Sequence, residues 1–200
     1  QLTASMGVDA SLGPADAGVE LMRRADIAMY RSKRRGRGMA TVFDETLEAE
    51  TRRRAELEDE LRGAVGRGEL RLEYQPIVHV RTGRIAHVEA LLRWDSRVAG
   101  AVRPDEFIAI AEENGLISEI GEWVLHTACA QVAAWSRQRG IDVAVAVNVS
   151  ARQLADRGFA ATVLGALAAA ELQPSALMVE ITETAMMDDL GASARVLKEL

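Results

Sequence analysis

The chain has 200 residues, of which 48% are hydrophobic, 27% charged and only 4% aromatic, the balance of a soluble globular protein whose core is built mainly from Ala, Val, Leu and Ile. A formal net charge of −6 argues against a nucleic acid polymer as partner, because such binding needs a basic face, yet it leaves room for a small anion neutralised by a few arginines and a metal ion. The single cysteine, Cys129, excludes an intrachain disulfide, reads as a buried structural thiol beside Ala128 and Ala130, and fits a reducing cytoplasm.

The longest uncharged stretch, Gly158 to Ala170, falls short of the roughly 20 apolar residues that cross a bilayer, and no signal peptide is visible. The chain opens at Gln1 in what reads as the middle of a domain and stops at Leu200 inside a helical pattern. It is expected to be a piece of a longer protein, whose upstream region could carry a membrane anchor.

Residues 3–9 alternate loosely up to the turn signal Gly13-Pro14. A helix is predicted from Asp16 to Arg35, with Val19, Met22, Ala25, Ile27, Met29 and Tyr30 as its apolar face and Gly36 and Gly38 as its stop. Met39 to Phe43 is a short strand. Thr46 to Val65 is a highly charged helix with a thin seam of Leu47, Leu57, Leu61 and Val65, which suits a solvated connector or a helix that packs on a partner copy. Leu70 to Val80, a turn at Arg81 to Arg84, and Ile85 to Trp94 make an antiparallel hairpin. Helices are predicted over Pro104–Glu113, Ile117–Arg137, Phe159–Ala170 and within Ala185–Leu200, and strands over Val143–Val149 and Leu177–Thr182. Strand and helix alternate from the hairpin onward, the grammar of a parallel sheet and, carried to completion, of a TIM-type barrel.

Three apolar strands each carry an oxygen-bearing residue near the C-terminal end: Glu89 within Ile85–Leu91, Asn148 after Val143–Val147, and Glu180 after Leu177–Val179. A carboxylate among apolar strand residues is costly unless paired or bound to a cation. In a parallel barrel these ends converge on the face where active sites are built. Two carboxylates and an amide oxygen form a hard, oxygen-only set suited to Mg²⁺ or Mn²⁺. The alternative is three unrelated polar residues reaching solvent.

The runs Glu73-Tyr74-Gln75-Pro76-Ile77-Val78, Val88-Glu89-Ala90-Leu91-Leu92-Arg93-Trp94, Val147-Asn148-Val149-Ser150-Ala151-Arg152-Gln153-Leu154 and Val179-Glu180-Ile181-Thr182-Glu183-Thr184 resemble, in order and spacing, the EAL phosphodiesterase family. The resemblance covers residues 63–200. It implies a partial TIM-type barrel with an antiparallel first strand pair, and metal-dependent hydrolysis of cyclic-di-GMP to linear pGpG. It further implies Glu89, Asn148 and Glu180 as metal ligands, with Glu89 and Glu180 catalytic through that role. Arg93 would contact a substrate phosphate, Gln75 would lie close to the substrate, and Glu183 would steady a nearby metal-binding loop. Homodimerisation is also implied. In the family an aspartate pair, a lysine and another glutamate come later. Asp188-Asp189 is followed by Leu190-Gly191 and comes too soon after Glu180, so it reads as a loop or helix cap, and the chain by itself is expected to be inactive.

Arg24-Ala25-Asp26-Ile27-Ala28-Met29-Tyr30-Arg31-Ser32-Lys33-Arg34-Arg35-Gly36-Arg37 resembles the closing helix of a GGDEF, or diguanylate cyclase, domain. The resemblance implies Lys33 and Arg37 as contacts to nucleotide phosphates, and GTP as a possible ligand of this part. From composition alone the seven basic residues between Arg23 and Arg37 read as a solvated helix face. The expected division is therefore 1–44 as the end of a GGDEF domain, 45–62 as a charged helical linker and 63–200 as the first part of an EAL domain. His79, His87 and His126 lack metal-ligand spacing, and Trp94, Trp123 and Trp135 read as packing residues. Three readings stand at this stage: a phosphodiesterase, a cyclic-di-GMP receptor that does not cut, and a cyclase with a vestigial EAL portion.

Overall fold

The computed structural model describes residues 3–9, 17–34 and 36–181, and the chain divides into two compact units, Gln1–Asp59 and Glu60–Leu200. In the first, strands β1 (Met6–Val8) and β2 (Ala40–Val42) pair in parallel, and helix α1 (Ala17–Arg34) connects them. This is the strand–helix–strand order expected, but the apolar face expected on α1 needs correction. Val19, Met22 and Tyr30 are exposed, while Ala28 and Ser32 are fully buried. Close approach explains the difference: a Cβ on Gly7 of β1 would stand 1.8 Å from the Ala25 carbonyl oxygen and 2.3 Å from the Met29 nitrogen. A helix seated so tightly on a strand leaves little room for large side chains between them, so Val19, Met22 and Tyr30 turn outward while Ile27 and Met29 stay half-buried.

Helix α2 (Glu45–Leu61) begins at Asp44, whose Oδ1 accepts from the Leu47 amide at 2.8 Å, as an N-cap should. It ends short of the expected Val65. Beyond it comes a turn in which Gly63 adopts a φ of 76°, a left-handed conformation that stops a helix. Leu47, Leu57 and Leu61 of the predicted seam are buried.

The second unit is built on a five-stranded sheet. Strands β3 (Leu70–Val78) and β4 (Ile85–Ser96) form the antiparallel hairpin, strand β5 (Gly100–Val102) pairs with the far end of β4, and strands β6 (Ala144–Val149) and β7 (Leu177–Ile181) add in parallel to give the order β3-β4-β6-β7. Helices α3 (Pro104–Asn114), α4 (Ile117–Arg139), α5 (Ala151–Ala155) and α6 (Phe159–Ala169) occupy the connections. Three short pieces escaped the sequence reading: β5, α5 and a 3-10 turn over Pro174–Ala176. Each is too brief for a periodic pattern to register. The helix expected over Ala185–Leu200, and the Asp188-Asp189 pair, lie outside the described residues.

The apolar positions of the strands meet the helices. Val88, Ala90, Trp94, Val145, Val147 and Val149 are buried. Helix α4 answers them with Val124, Leu125, Ala128, Cys129, Val132 and Ala133, the spacing of a single apolar stripe. Trp94 packs edge-on against Phe107 of α3 with ring centroids 5.6 Å apart, and Tyr74 of β3 against Trp135 of α4 at 4.9 Å. Burying side chains of this kind stabilises by about 1.5–3 kcal/mol each, which fixes the sheet on α3 and α4 and with it the register of the polar residues on the other face. Among the described residues no helix is long and apolar enough to cross a membrane.

Candidate active site

The three oxygen-bearing strand residues lie on neighbouring parallel strands. Glu89 is level with Ala146 of β6, and Asn148 is level with Glu180 of β7. Side chains alternate along a strand, so Glu89, Asn148 and Glu180 share one face, opposite Val88, Val147 and Val179. Glu89 is the fifth of the twelve residues of β4, not near the end of its strand as the sequence suggested. The expectation failed because β4 runs on to pair with β5. Its parallel pairing with β6 covers only His87 to Ala90, so Glu89 does sit near the end of the parallel segment.

The structure joins two of the three directly. The Asn148 side-chain nitrogen donates to Glu89 Oε1 at 2.7 Å. Gln75 stands directly across the hairpin from Glu89, on the same face. His87 shares the parity of Glu89 and pairs with Ile77 on one side and Ala144 on the other.

Asn148 is held by the helix start just beyond it. Ser150 caps α5: its Oγ accepts from the Gln153 amide at 3.4 Å, and Gln153 Oε1 accepts from the Ser150 amide at 3.1 Å. This reciprocal capping box places the Gln153 side chain, which is buried, against Gly121 of α4. A Cβ on Gly121 would lie 1.8 Å from Gln153 Nε2, so only glycine admits that amide. The end of β6 is thereby tied to α4 two residues beyond Asn148. The sequence reading picked up neither this Ser-x-x-Gln helix start nor its partner glycine.

Arg93, four residues after Glu89 on the same face, sits in a charged ladder across the hairpin. Its Nε donates to Glu73 Oε2 at 2.8 Å, and its NH1 donates to the Leu92 carbonyl at 3.0 Å. Arg71 bonds the other oxygen of Glu73 and continues to Asp95 Oδ2 at 2.7 Å. The two guanidinium groups hold the Glu73 carboxyl below the usual carboxylate range, Arg71 contributing most. Sequence reasoning assigned no role to Glu73. The signal was its parity with Arg71 on a hairpin whose return strand carries Arg93 and Asp95.

Between the C-terminal ends of β4 and β6 and helices α3 and α4 lies a cavity of about 350 Å³, lined by Arg93, Ile108, Val124, Val147, Asn148 and Gln153 but not by Glu89 or Gln75. Glu112 of α3 also borders it, and burial raises its carboxyl above the ordinary value.

Glu89, Asn148 and Glu180 bring two carboxylates and an amide oxygen to adjacent register positions, and Mg²⁺ is typically held by one or two carboxylates with water completing its shell. The residue types fit such an ion, although in the structure it is the Asn148 amide nitrogen, not its oxygen, that meets Glu89. Among the described residues no cluster of three His, Cys, Asp or Glu offers an alternative metal site. Glu183 lies outside the described residues. Lys33 is exposed in the last turn of α1, and Arg37 is exposed in the turn after it, its amide donating to the Ser32 carbonyl at 3.2 Å.

The sequence was compared with known families, curated proteins and solved structures. The EAL domain family model matches residues 58–200. The bifunctional diguanylate cyclase/cyclic di-GMP phosphodiesterase MucR of Pseudomonas aeruginosa is 40% identical over 200 residues, covering 100% of this chain and 29% of that protein. The cyclic di-GMP phosphodiesterase PdeR of Escherichia coli is 35% identical over 195 residues, covering 98% of this chain and 29% of that protein. The chain thus spans less than a third of the length of these relatives. Among solved structures, the PaMucR phosphodiesterase in complex with c-di-GMP superposes with a TM-score of 0.68 at 42% identity, covering 72% of this chain and 58% of that one.

Proposed function

Since the chain belongs to the EAL domain family, we propose that the protein hydrolyses one phosphodiester of cyclic-di-GMP to give linear pGpG. The observation that carries this reading is the contact of Asn148 with Glu89 at 2.7 Å, beside Glu180 in register. Unrelated polar strand residues have no reason to converge in this way. Glu89, Asn148 and Glu180 would hold Mg²⁺ or Mn²⁺, which supplies Lewis acidity toward the phosphodiester. Gln75, across from Glu89, would border the substrate, and Arg93 would neutralise a phosphate. Glu183 would steady a nearby metal-binding loop.

The reading extends to the rest of the chain. Residues 1–44 close a GGDEF-type domain in which Lys33 and Arg37 would contact nucleotide phosphates, with GTP as the ligand. Residues 45–62 connect it to an EAL barrel that begins at 63 and pairs with a second copy. The strand–helix–strand order of the first unit supports this assignment, as does the match of the whole chain to a relative named as a bifunctional cyclase and phosphodiesterase.

The test is turnover of cyclic-di-GMP by the whole protein with and without Mg²⁺ or Mn²⁺, beside Glu89→Ala. Metal-dependent release of pGpG that disappears in the variant supports the phosphodiesterase. Tight binding by a well-folded protein with no product makes it a receptor and overturns the hydrolytic reading.

A further inference from the structure

The Arg93 guanidinium is held at two of its three nitrogens and free at the third. Its Nε is bonded to Glu73 Oε2 at 2.8 Å and its NH1 to the Leu92 carbonyl at 3.0 Å. Among the described residues no bond engages NH2. The Arg93 side chain is about a quarter exposed, at 28%, and Glu73 about half, at 46%. Arg93 also lines the cavity that Asn148 borders. An arginine side chain loses much rotamer freedom when it is fixed. Here that loss occurs before any ligand arrives, because Glu73 takes the Nε side and is itself held from behind by Arg71, which Asp95 anchors in turn.

We infer that Glu73 is a positioning residue: it fixes Arg93 through Nε and leaves the NH2 nitrogen free for a phosphate oxygen of the substrate. The inference rests on the phosphodiesterase reading of the site. It has a distinctive sign. Glu73 is an anion close to where an anionic ligand would bind, so a purely electrostatic role predicts that removing its charge tightens binding. A positioning role predicts the reverse, because a freed Arg93 must be ordered again by each incoming ligand, at about 0.5–1.5 kcal/mol for a long side chain.

The experiment compares KM and kcat for cyclic-di-GMP hydrolysis by the whole wild-type protein, Glu73→Ala, Glu73→Gln, Arg93→Ala and the Glu73→Ala/Arg93→Ala double variant. Glu73→Ala is expected to raise KM about two- to tenfold and to leave kcat within about twofold of wild type. Glu73→Gln keeps an oxygen that can accept from Nε and should fall between wild type and Glu73→Ala. In the Arg93→Ala background the Glu73 substitution should add nothing. A KM that is unchanged or lower in Glu73→Ala overturns the inference, and so does an equal increment with and without Arg93. Those results would leave the phosphodiesterase reading intact. A wild-type protein that neither binds nor cuts cyclic-di-GMP overturns both.

Discussion

Gly121→Ala tests whether the buried Gln153 amide ties the end of β6 to α4. The substitution changes one hydrogen for a methyl group in the middle of α4. In an ordinary helix interior it should stabilise by about 1 kcal/mol, because alanine loses less backbone freedom than glycine. Here the new Cβ would stand 1.8 Å from Gln153 Nε2 and 2.9 Å from its Cδ. The Gln153 side chain must therefore leave, although it is buried and bonded to the Ser150 amide at 3.1 Å. Losing that half of the capping box costs about 1 kcal/mol, and crowding in a packed site adds about 1–3 kcal/mol. Set against the helix gain, the net is a destabilisation of about 1–3 kcal/mol. Urea unfolding of the whole protein monitored by tryptophan fluorescence reads it directly, since Trp94, Trp123 and Trp135 all belong to the second unit. The same substitution in a Gln153→Ala background meets no amide and should be neutral or stabilising. A penalty of equal size in both backgrounds, or a rise in the wild-type midpoint, would refute the proposed contact.

Glu69 should make the fold acid-sensitive. Its side chain is nearly inaccessible, pairs with Arg67 at 2.7 Å and accepts from Trp94 Nε1 at 3.3 Å, and Arg67 above all holds its carboxyl below the ordinary range. A depressed folded value means that this stabilisation is complete above the unfolded pKa of about 4.3 and is lost as the pH falls through the folded value. Glu69→Gln should cost about 2 kcal/mol at neutral pH and flatten the fall in melting temperature below about pH 4.5; parallel pH profiles for variant and wild type would contradict this. Cys129 is fully buried, and burial pushes its thiol up to about 11. Ellman's reagent at about pH 8, below that raised value, should modify it only as fast as the protein unfolds, and rapid labelling of the folded protein would show that the helix α4 core is open.

The sequence disclosed most where a long-range pattern and a local one agreed. The β3–β4 hairpin, α3, α4, β6, α6 and β7 all combine a period with a punctuating turn, glycine or proline, and these elements carry the site. Asn148 and Glu180 were readable because a polar atom inside an apolar strand is costly and therefore stands out. The rest stayed hidden because it depends on distances that no period encodes. The buried face of α1 was misread because apolar size predicts burial only where there is space, and the approach of Gly7 to Ala25 leaves none for Met22 or Tyr30. The tie between Gly121 and Gln153 joins residues on separate helices, and neither is unusual in its own segment. Glu73 is the instructive intermediate: alternation placed it on the face of Gln75, but only the hairpin register sets it across from Leu91, between Arg71 and Arg93. Residues that touch a phosphate or a metal reveal themselves by chemistry out of place. Residues that hold those groups still are ordinary in sequence, and become legible only once the register is known.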